Sequence, residues 1–344
     1  MGFEKIRTLP DPAEMMERAP LSAELKKVKA QRDKELCDIT KGDDSRFLVV
    51  IGPCSADDEN AVCEYVTRLA KVNEKVKDKL FIVPRIYTNK PRTTGEGYKG
   101  MLHQPDPRSA PNMADGIMAI RNIHIRCIQE TGLVAADEML YPDNLLYCQD
   151  LLGYIAIGAR SVENQQHRLT SSGVDIPVGL KNPTSGDLTV MFNGIQAAQS
   201  PHNFIYRNDE VSTTGNPLAH AIMRGYVSST GNDIPNYHYE DLQNAVEMYE
   251  KRDLKFPMIV VDTNHSNSGK KYKEQMRIAK DILYTRNHND KIKKVVRGLM
   301  IESYLKEGRQ DLGSGSYECG RSITDPCLGW EDTEALLHYI AENV

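Results

Sequence analysis

Eight residues stand at comparable places in the sequence and carry reactive or charged groups: Cys54, Arg85, Glu138, Arg160, Lys181, Arg224, His265 and Glu302. Each is the first strongly polar side chain at the end of a short apolar run. Four of them, Arg85, Arg160, Lys181 and Arg224, are cationic. Gathered in one mouth they would repel unless an anion lay between them. Guanidinium forks grip phosphate and carboxylate bidentately, and an ammonium adds a point charge. The implied substrate therefore carries several negative charges, phosphate together with carboxylate. Cys54, His265 and Glu302, joined by Asp325 in the run SITDPC, form a second set. Thiolate, imidazole and two carboxylates make a divalent-metal set that suits Mn, Fe, Co, Zn or Cu without choosing among them. Taken singly, each residue has an ordinary explanation: a solvated rim arginine, a cysteine filling a core, a histidine bonded to a loop. Their recurrence at the end of every run is what an ordinary explanation does not supply.

The runs themselves are FLVVIGPC (47–54), LFIVPRIY (80–87), GLVAADE (132–138), YIAIGAR (154–160), IPVGLKN (176–182), AHAIMRG (219–225), MIVVDTNH (258–265) and LMIES (299–303). Each is apolar through its body and bounded by Gly, Pro, Asn or Asp, the pattern of a strand buried on both faces. Helical periodicity fills the gaps, as at 58–77 (Val62, Val66, Leu69, Val76), 113–130 (Ile117, Ile120, Ile128) and 239–252 (Leu242, Val246, Tyr249). Strand alternating with helix implies a parallel sheet, and eight alternations imply an α/β fold of the (β/α)8 TIM barrel type. Active sites of such barrels lie at the C-terminal strand ends, where the eight residues stand. The expected organisation is an N-terminal helical arm over 1–46, for oligomerisation or regulation, with a helix at about 21–40. A catalytic barrel follows over 47–344, with an inserted β-hairpin at about 203–214.

Composition narrows the function classes. The chain has 344 residues, 43 Lys and Arg against 48 Asp and Glu, and a net charge of −5. With no basic block, it lacks the footprint of a nucleic-acid binder. No stretch approaches the roughly 18 apolar residues of a membrane span, and the first 20 residues hold no apolar signal segment. Seven cysteines, none in C-x-x-C spacing, fit neither a disulfide framework nor a structural zinc knuckle, so a cytoplasmic location is expected. The loop Thr88-Asn89-Lys90-Pro91-Arg92-Thr93-Thr94 offers two cations around a rigid proline, then hydroxyls, and reads as a second phosphate site. The G-x-G-x-x-G at Gly95, Gly97 and Gly100 lies too far beyond its strand for a dinucleotide loop. Gly313–Ser316 reads as a flexible connection.

The runs GPCS (52–55), KPRTT (90–94), IGAR (157–160), PVGLKN (177–182), DTNHSNSGK (262–270), MIES (300–303) and SITDPCLGWEDTEALL (322–337) resemble the type I 3-deoxy-D-arabino-heptulosonate 7-phosphate (DAHP) synthases, from about residue 42 to the C-terminus. The resemblance implies a metal-dependent condensation of phosphoenolpyruvate with D-erythrose 4-phosphate, at the entry to aromatic amino-acid biosynthesis. It implies metal ligands at Cys54, His265, Glu302 and Asp325. It implies phosphoenolpyruvate contacts at Arg85, Glu138, Ala159 (backbone), Arg160, Lys181 and Arg224, and erythrose 4-phosphate contacts at Lys90, Pro91, Arg92 and Thr93. Lys90 is expected to transfer the proton to the new hydroxyl, with a pKa depressed by neighbouring cations. Glu138 or a metal-bound water is expected to prepare the attacking water. A homodimer or homotetramer is expected, and an aromatic amino acid as a feedback inhibitor, unspecified because Thr170 and Asp175 depart from the enteric pattern. The rival within the same chemistry is 3-deoxy-D-manno-octulosonate 8-phosphate synthase, disfavoured by KPRTT. A non-catalytic sensor barrel is disfavoured because no ligand or cation is missing.

Overall fold

The computed structural model describes residues 2–92, 94–313 and 317–344. Eight strands form one parallel sheet: β1 (Phe47–Gly52), β2 (Leu80–Pro84), β3 (Ala136–Glu138), β4 (Tyr154–Ile157), β5 (Val178–Lys181), β6 (Ala219–Met223), β7 (Ile259–Asp262) and β8 (Val296–Glu302). Hydrogen bonding runs in the order β2-β1-β8-β7-β6-β5-β4-β3. The ring closes between β2 and β3 through a single parallel bridge of Arg85 with Ala136, where the Ile86 N–H donates to the Ala136 carbonyl at 2.9 Å. A helix follows every strand, from Glu59–Val76 after β1 to Trp330–Asn343 after β8, which completes a (β/α)8 barrel.

The runs are apolar throughout because both faces of each strand are buried, but the two faces meet different partners. In β1, Leu48 and Val50 point into the barrel with Phe81, Val83, Ala156, Ile222 and Met300, while Val49 and Ile51 face the surrounding helices. The helices form where the sequence caps them. Asp58 Oδ1 accepts from the Ala61 N–H at 2.8 Å before Glu59–Val76, and Gly132, in the left-handed region, ends Met113–Thr131.

The N-terminal 46 residues contribute two helices, Pro12–Arg18 and Ala23–Lys41. Ser22 caps the longer one, its Oγ accepting from the Leu25 N–H at 3.2 Å. Leu36 and Ile39 of this helix join the interior cluster with Leu48, Val260 and Met300, so the helix stoppers the N-terminal end of the barrel. Two arginines fasten it. Arg32 stacks 3.7 Å from the Phe81 ring centre and donates to the Ile82 carbonyl, and Arg297 donates to the carbonyls of Ile39 and Thr40.

The hairpin expected at 203–214 is present as Asn203–Tyr206 against Asp209–Ser212, antiparallel. Two small pairings were not anticipated: the hairpin Tyr226–Val227 with Asp233–Ile234 after β6, and Lys306–Arg309 with Arg321–Ser322 after β8. The last strand begins at Val296, three residues before the run read from sequence. Gly95, Gly97 and Gly100 all have positive φ and lie in a loop that reaches no helix until Met113, as expected of turn glycines and not of a dinucleotide loop. Part of Gly313–Ser316 lies outside the described residues.

One polar pair sits in the barrel interior. Tyr154 Oη lies 2.8 Å from His220 Nε2, and His220 Nδ1 lies 2.8 Å from the Leu218 carbonyl. Burial pulls the His220 pKa down to about 4. The folded protein therefore keeps this ring neutral below pH 6.5 while the unfolded chain protonates it. Stability attributable to His220 is complete above pH 6.5 and declines toward pH 4, by about 3 kcal/mol in all. Urea unfolding of His220→Gln should show a shallower loss over that window than the unaltered protein; an identical slope would contradict the assignment. Ile39→Ala should lower the unfolding free energy by about 2–4 kcal/mol, read from the urea midpoint, and a loss near zero would mean that the arm helix is not part of the core.

Candidate active site

At the C-terminal mouth, the strand ends and following loops surround a cavity of about 220 Å³. Lys90, Pro91, Arg92, Glu138, Ala159, Arg160, Lys181, Arg224, His265 and Asp325 all line it. Cys54, Arg85 and Glu302 lie beneath the floor with essentially no exposure. The rim read from the sequence is thus two layers deep. Thr93 lies outside the described residues.

Glu302 ends β8 and Arg85 follows β2. Arg85 Nη2 stands 2.7 Å from Glu302 Oε1, and Arg85 also donates to the backbone carbonyls of Pro53 and Cys54 and stacks on Tyr87. The alignment is that of an ion pair and not of a hydrogen bond, which leaves Glu302 Oε1 without a hydrogen-bond partner; Oε2 accepts from Asn264 Nδ2 at 2.6 Å. Burial raises the pKa of Glu302, but Arg85 and His265 more than offset it and hold the carboxyl below its ordinary range. Cys54 Sγ, a Glu302 oxygen and an Asp325 oxygen come within 4.8 Å of one another. His265 lies just outside that group, with its Nε2 3.8 Å from Glu302 Oε1.

His265 is placed by a strained turn. Its φ is +44°, an uncommon conformation for a residue with a side chain. Asn267 holds the turn by donating to the carbonyls of Asp262 and Met223. Nδ1 faces Asp262 Oδ2 at 2.9 Å, so it carries the proton and Nε2 keeps its lone pair toward Glu302. A ring oriented by a carboxylate behind it is the usual arrangement of a metal-binding histidine. An unpartnered carboxylate oxygen, a thiol, a second carboxylate and an oriented imidazole converge here, and this donor set fits a divalent cation.

The four cations are not equivalent. Arg85 is paired with Glu302, and Lys181 Nζ lies 3.2 Å from Asp262 Oδ2. Arg160 and Arg224 have no carboxylate within ion-pair distance among the described residues, and Arg224 Nη1 is buried without a partner. Burial lowers the pKa of Lys181 and of Arg224 despite Asp262 nearby. The expectation of four mutually repelling charges is corrected accordingly: two are neutralised by the protein, and two are left for a ligand.

The expected depression of the Lys90 pKa is also overturned. Burial does work against the charge, but Cys54, Asp325 and Glu302 outweigh it and hold the ammonium above its ordinary range. Lys90 Nζ lies 2.6 Å from Cys54 Sγ, so it sits against the donor cluster and not against the arginines. Burial and Glu302 in turn push the Cys54 thiol up to about 11.

Sequence reading missed the residues that hold others in place. Asp262 bridges Lys181 and His265. Asn264 and Lys270 steady Glu302 and Asp325, the latter at 3.0 Å. Asp137 accepts from the Thr88 N–H at 2.9 Å and from its hydroxyl, and so anchors the Lys90 loop. Gly158 lets Glu138 reach the mouth, since a β-carbon there would fall 2.4 Å from Glu138 Oε1. Asp262 and Asn264 lay within a quoted run and Asp137 beside Glu138, but their partners are distant in sequence.

A barrel with a cation-lined mouth above a metal-compatible donor cluster is the class that fold and site define. The sequence matches the model of the DAHP synthetase I family over residues 22–338, and the chain belongs to that family. It is 39% identical to the phospho-2-dehydro-3-deoxyheptonate aldolase of Haemophilus influenzae, covering 99% of this chain and 93% of that one. It is also 39% identical to the Phe-sensitive enzyme of Escherichia coli K12, over 100% and 97%, and 36% identical to the Trp-sensitive one, over 99% and 96%. The solved phospho-2-dehydro-3-deoxyheptonate aldolase of Francisella tularensis superposes with a TM-score of 0.92 at 32% identity, covering 100% and 98% of the two chains.

Asp262→Asn should release both Lys181 and His265. It is expected to reduce kcat/KM about 10–100-fold, as loss of an orienting partner does, with a smaller effect on the unfolding midpoint. Activity within a few-fold of the parent would remove Asp262 from this role.

Proposed function

We propose that the barrel mouth condenses phosphoenolpyruvate with D-erythrose 4-phosphate and water, giving DAHP and inorganic phosphate, a transferase reaction at the first step of the shikimate pathway. The observation that carries this reading is the meeting, at one barrel mouth, of arginines left without carboxylate partners and a metal-compatible cluster beneath them, in a chain of this family. Arg160, Lys181 and Arg224 take the phosphate and carboxylate of phosphoenolpyruvate, with the Ala159 N–H beside them and Arg85 beneath. Lys90, Pro91, Arg92 and Thr93 receive the sugar phosphate. Cys54, His265, Glu302 and Asp325 would hold one divalent metal ion, from among Mn, Fe, Co and Zn, which would supply Lewis acidity toward the aldehyde oxygen.

The residues then act in sequence. The bound enol is oriented so that its C3 attacks the aldehyde carbon and a carbon–carbon bond forms. Lys90, held protonated by its anionic neighbours, gives its proton to the oxygen that becomes the new hydroxyl. Water adds at C2 and loses a proton to Glu138. The resulting phosphohemiketal collapses: its C2 hydroxyl gives its proton to the departing phosphate oxygen, the bond from C2 to that oxygen breaks, C2 becomes the ketone, and inorganic phosphate leaves.

Control and assembly belong to the arm, residues 1–46, and to the hairpin. Phe3, Ile6 and Ile205 expose nearly their whole side chains. Such exposure favours a homodimer or homotetramer in which these surfaces are covered. An aromatic amino acid acts as inhibitor, a reading supported by the Phe-sensitive and Trp-sensitive relatives. A cytoplasmic location is in keeping with seven free cysteines. Among the described residues no helix is long and apolar enough to cross a membrane.

Phosphate release from phosphoenolpyruvate tests the central reading. Release is expected with erythrose 4-phosphate and Mn²⁺, abolished by EDTA, and absent with arabinose 5-phosphate. Release with the five-carbon sugar alone would move the chain to the octulosonate reaction, and the same assay with Phe, Tyr or Trp identifies the inhibitor. Lys90→Met should lose turnover by about 1,000-fold or more while phosphoenolpyruvate still binds in a calorimetric titration; lost binding would contradict the proton-transfer role. Cys54→Ala should retain less metal after dialysis, and an unchanged metal content would rule out Cys54 as a ligand.

A further inference from the structure

We propose that the underside of the barrel, opposite the catalytic mouth, holds a second binding site, for a small organic anion with a flat apolar body. A cavity of about 700 Å³ lies there, between the end of the arm helix, the segment 286–297 and the start of β7. It is larger than the space at the catalytic mouth.

Among its charged lining residues, cations predominate. Lys41, Arg286, Lys291, Lys293, Lys294 and Arg297 line it, against two acids, Asp44 and Glu250. Both acids are engaged: Asp44 pairs with Arg46 at 2.6 Å, and Glu250 with Lys291 at 3.0 Å. Asp43 lies close enough to Arg297 to favour its charge. Lys41, Lys293, Lys294, Arg286 and Arg297 have no carboxylate within ion-pair distance among the described residues. Like charges gathered without counter-charges raise the free energy of the empty protein, and a bound anion would lower it.

Arg286 gives this reading its weight. It is 6% exposed, and its Nε donates to the Val296 carbonyl at 2.7 Å. Its guanidinium stacks on Phe47, yet Nη1 is buried with no hydrogen-bond partner. Nine-tenths of a cation has been removed from water with no acid to receive it, and burial alone draws its pKa down to about 10. Arg297 repeats the pattern in part. Its two terminal nitrogens donate to the Ile39, Thr40 and Pro257 carbonyls, and its Nε is buried and unpartnered. Gly42 permits this approach, because a β-carbon there would lie 2.6 Å from Arg297 Nη1.

The apolar half of the ligand is indicated by the opposite wall. Phe256 has a φ of +46°, which a bulky residue adopts only when its surroundings impose it, and its ring remains partly exposed at the cavity beside Pro257 and Val295. An aromatic face next to unpaired cations suits a phosphate or carboxylate carried on a ring or a short apolar chain.

Phenyl phosphate is the probe. Phosphoenolpyruvate at saturating concentration first occupies the mouth, and calorimetry then follows phenyl phosphate binding to the full-length protein. One further site is expected, weakened by added salt and weaker still for phenol and for inorganic phosphate. Lys41→Glu combined with Lys294→Glu should reduce the affinity about tenfold or more; both positions are exposed, so the fold survives the change. No second site, an affinity unchanged in the double variant, or equal binding of phenol would overturn the proposal. Inorganic phosphate bound as tightly as phenyl phosphate would remove the apolar part of it.

Discussion

Glu302 and Arg85 sit side by side at the heart of the barrel mouth with almost no contact with water, and the site is organised around keeping both charges there. A buried ion pair of this kind loses much of its Coulombic gain to desolvation. Here the surroundings make up the difference. Asn264 takes one carboxylate oxygen, Gln275 fixes the Glu302 backbone at both its N–H and its carbonyl, and Tyr87 lies under the guanidinium. Removing either partner would strand a charge in the floor, so the donor cluster and the anion site above it share one foundation. Arg85 keeps the carboxylate ionised and ready for a cation while turning its own charge toward the strand ends.

The same economy of charge runs through the mouth. Asp262 sits between Lys181 and His265 and serves both, holding one as a cation near the substrate space and orienting the other as a neutral donor. Lys90 rests against the thiol and carboxylates. Among the described residues Arg160, Arg224 and Arg92 of the mouth are left without an ion-paired acid, which sets the net charge that an incoming substrate meets. The mouth is therefore less positive than a count of its cations suggests and more selective in where that charge stands.

Much of this was legible in the sequence. Eight apolar runs with bounding Gly, Pro, Asn and Asp gave the strands, because a strand covered on both faces has no polar alternation to blur it. The reactive residue at each C-terminal end followed: five of the eight line one cavity, and Cys54, Arg85 and Glu302 lie beneath its floor. What was hidden depends on three-dimensional neighbours. Depth is one such property: nothing in the sequence distinguishes Arg85, under the floor, from Arg160, on the wall. Pairing is another, since Asp262 meets Lys181 across 81 positions and Glu302 meets Arg85 across a still longer span. The sign of the Lys90 shift failed for this reason. Its sequence neighbour is Arg92, whereas its spatial neighbours are Cys54, Asp325 and Glu302. The β3 to β2 closure, a single bridge, was likewise beyond any pattern in the residues.

The stopper formed by Leu36 and Ile39 has a consequence for how the chain comes into being. Their partners in the barrel interior include Val260 and Met300, so residues translated among the earliest are completed by residues translated near the end. During synthesis the arm helix has a sticky face whose socket, begun by β1 and β2, stays incomplete until β7 and β8 have emerged. Charged pairs along the helix, Lys34–Asp38 toward solvent and Lys29–Asp33 half-buried, give that waiting segment the means to remain in water until its socket is complete.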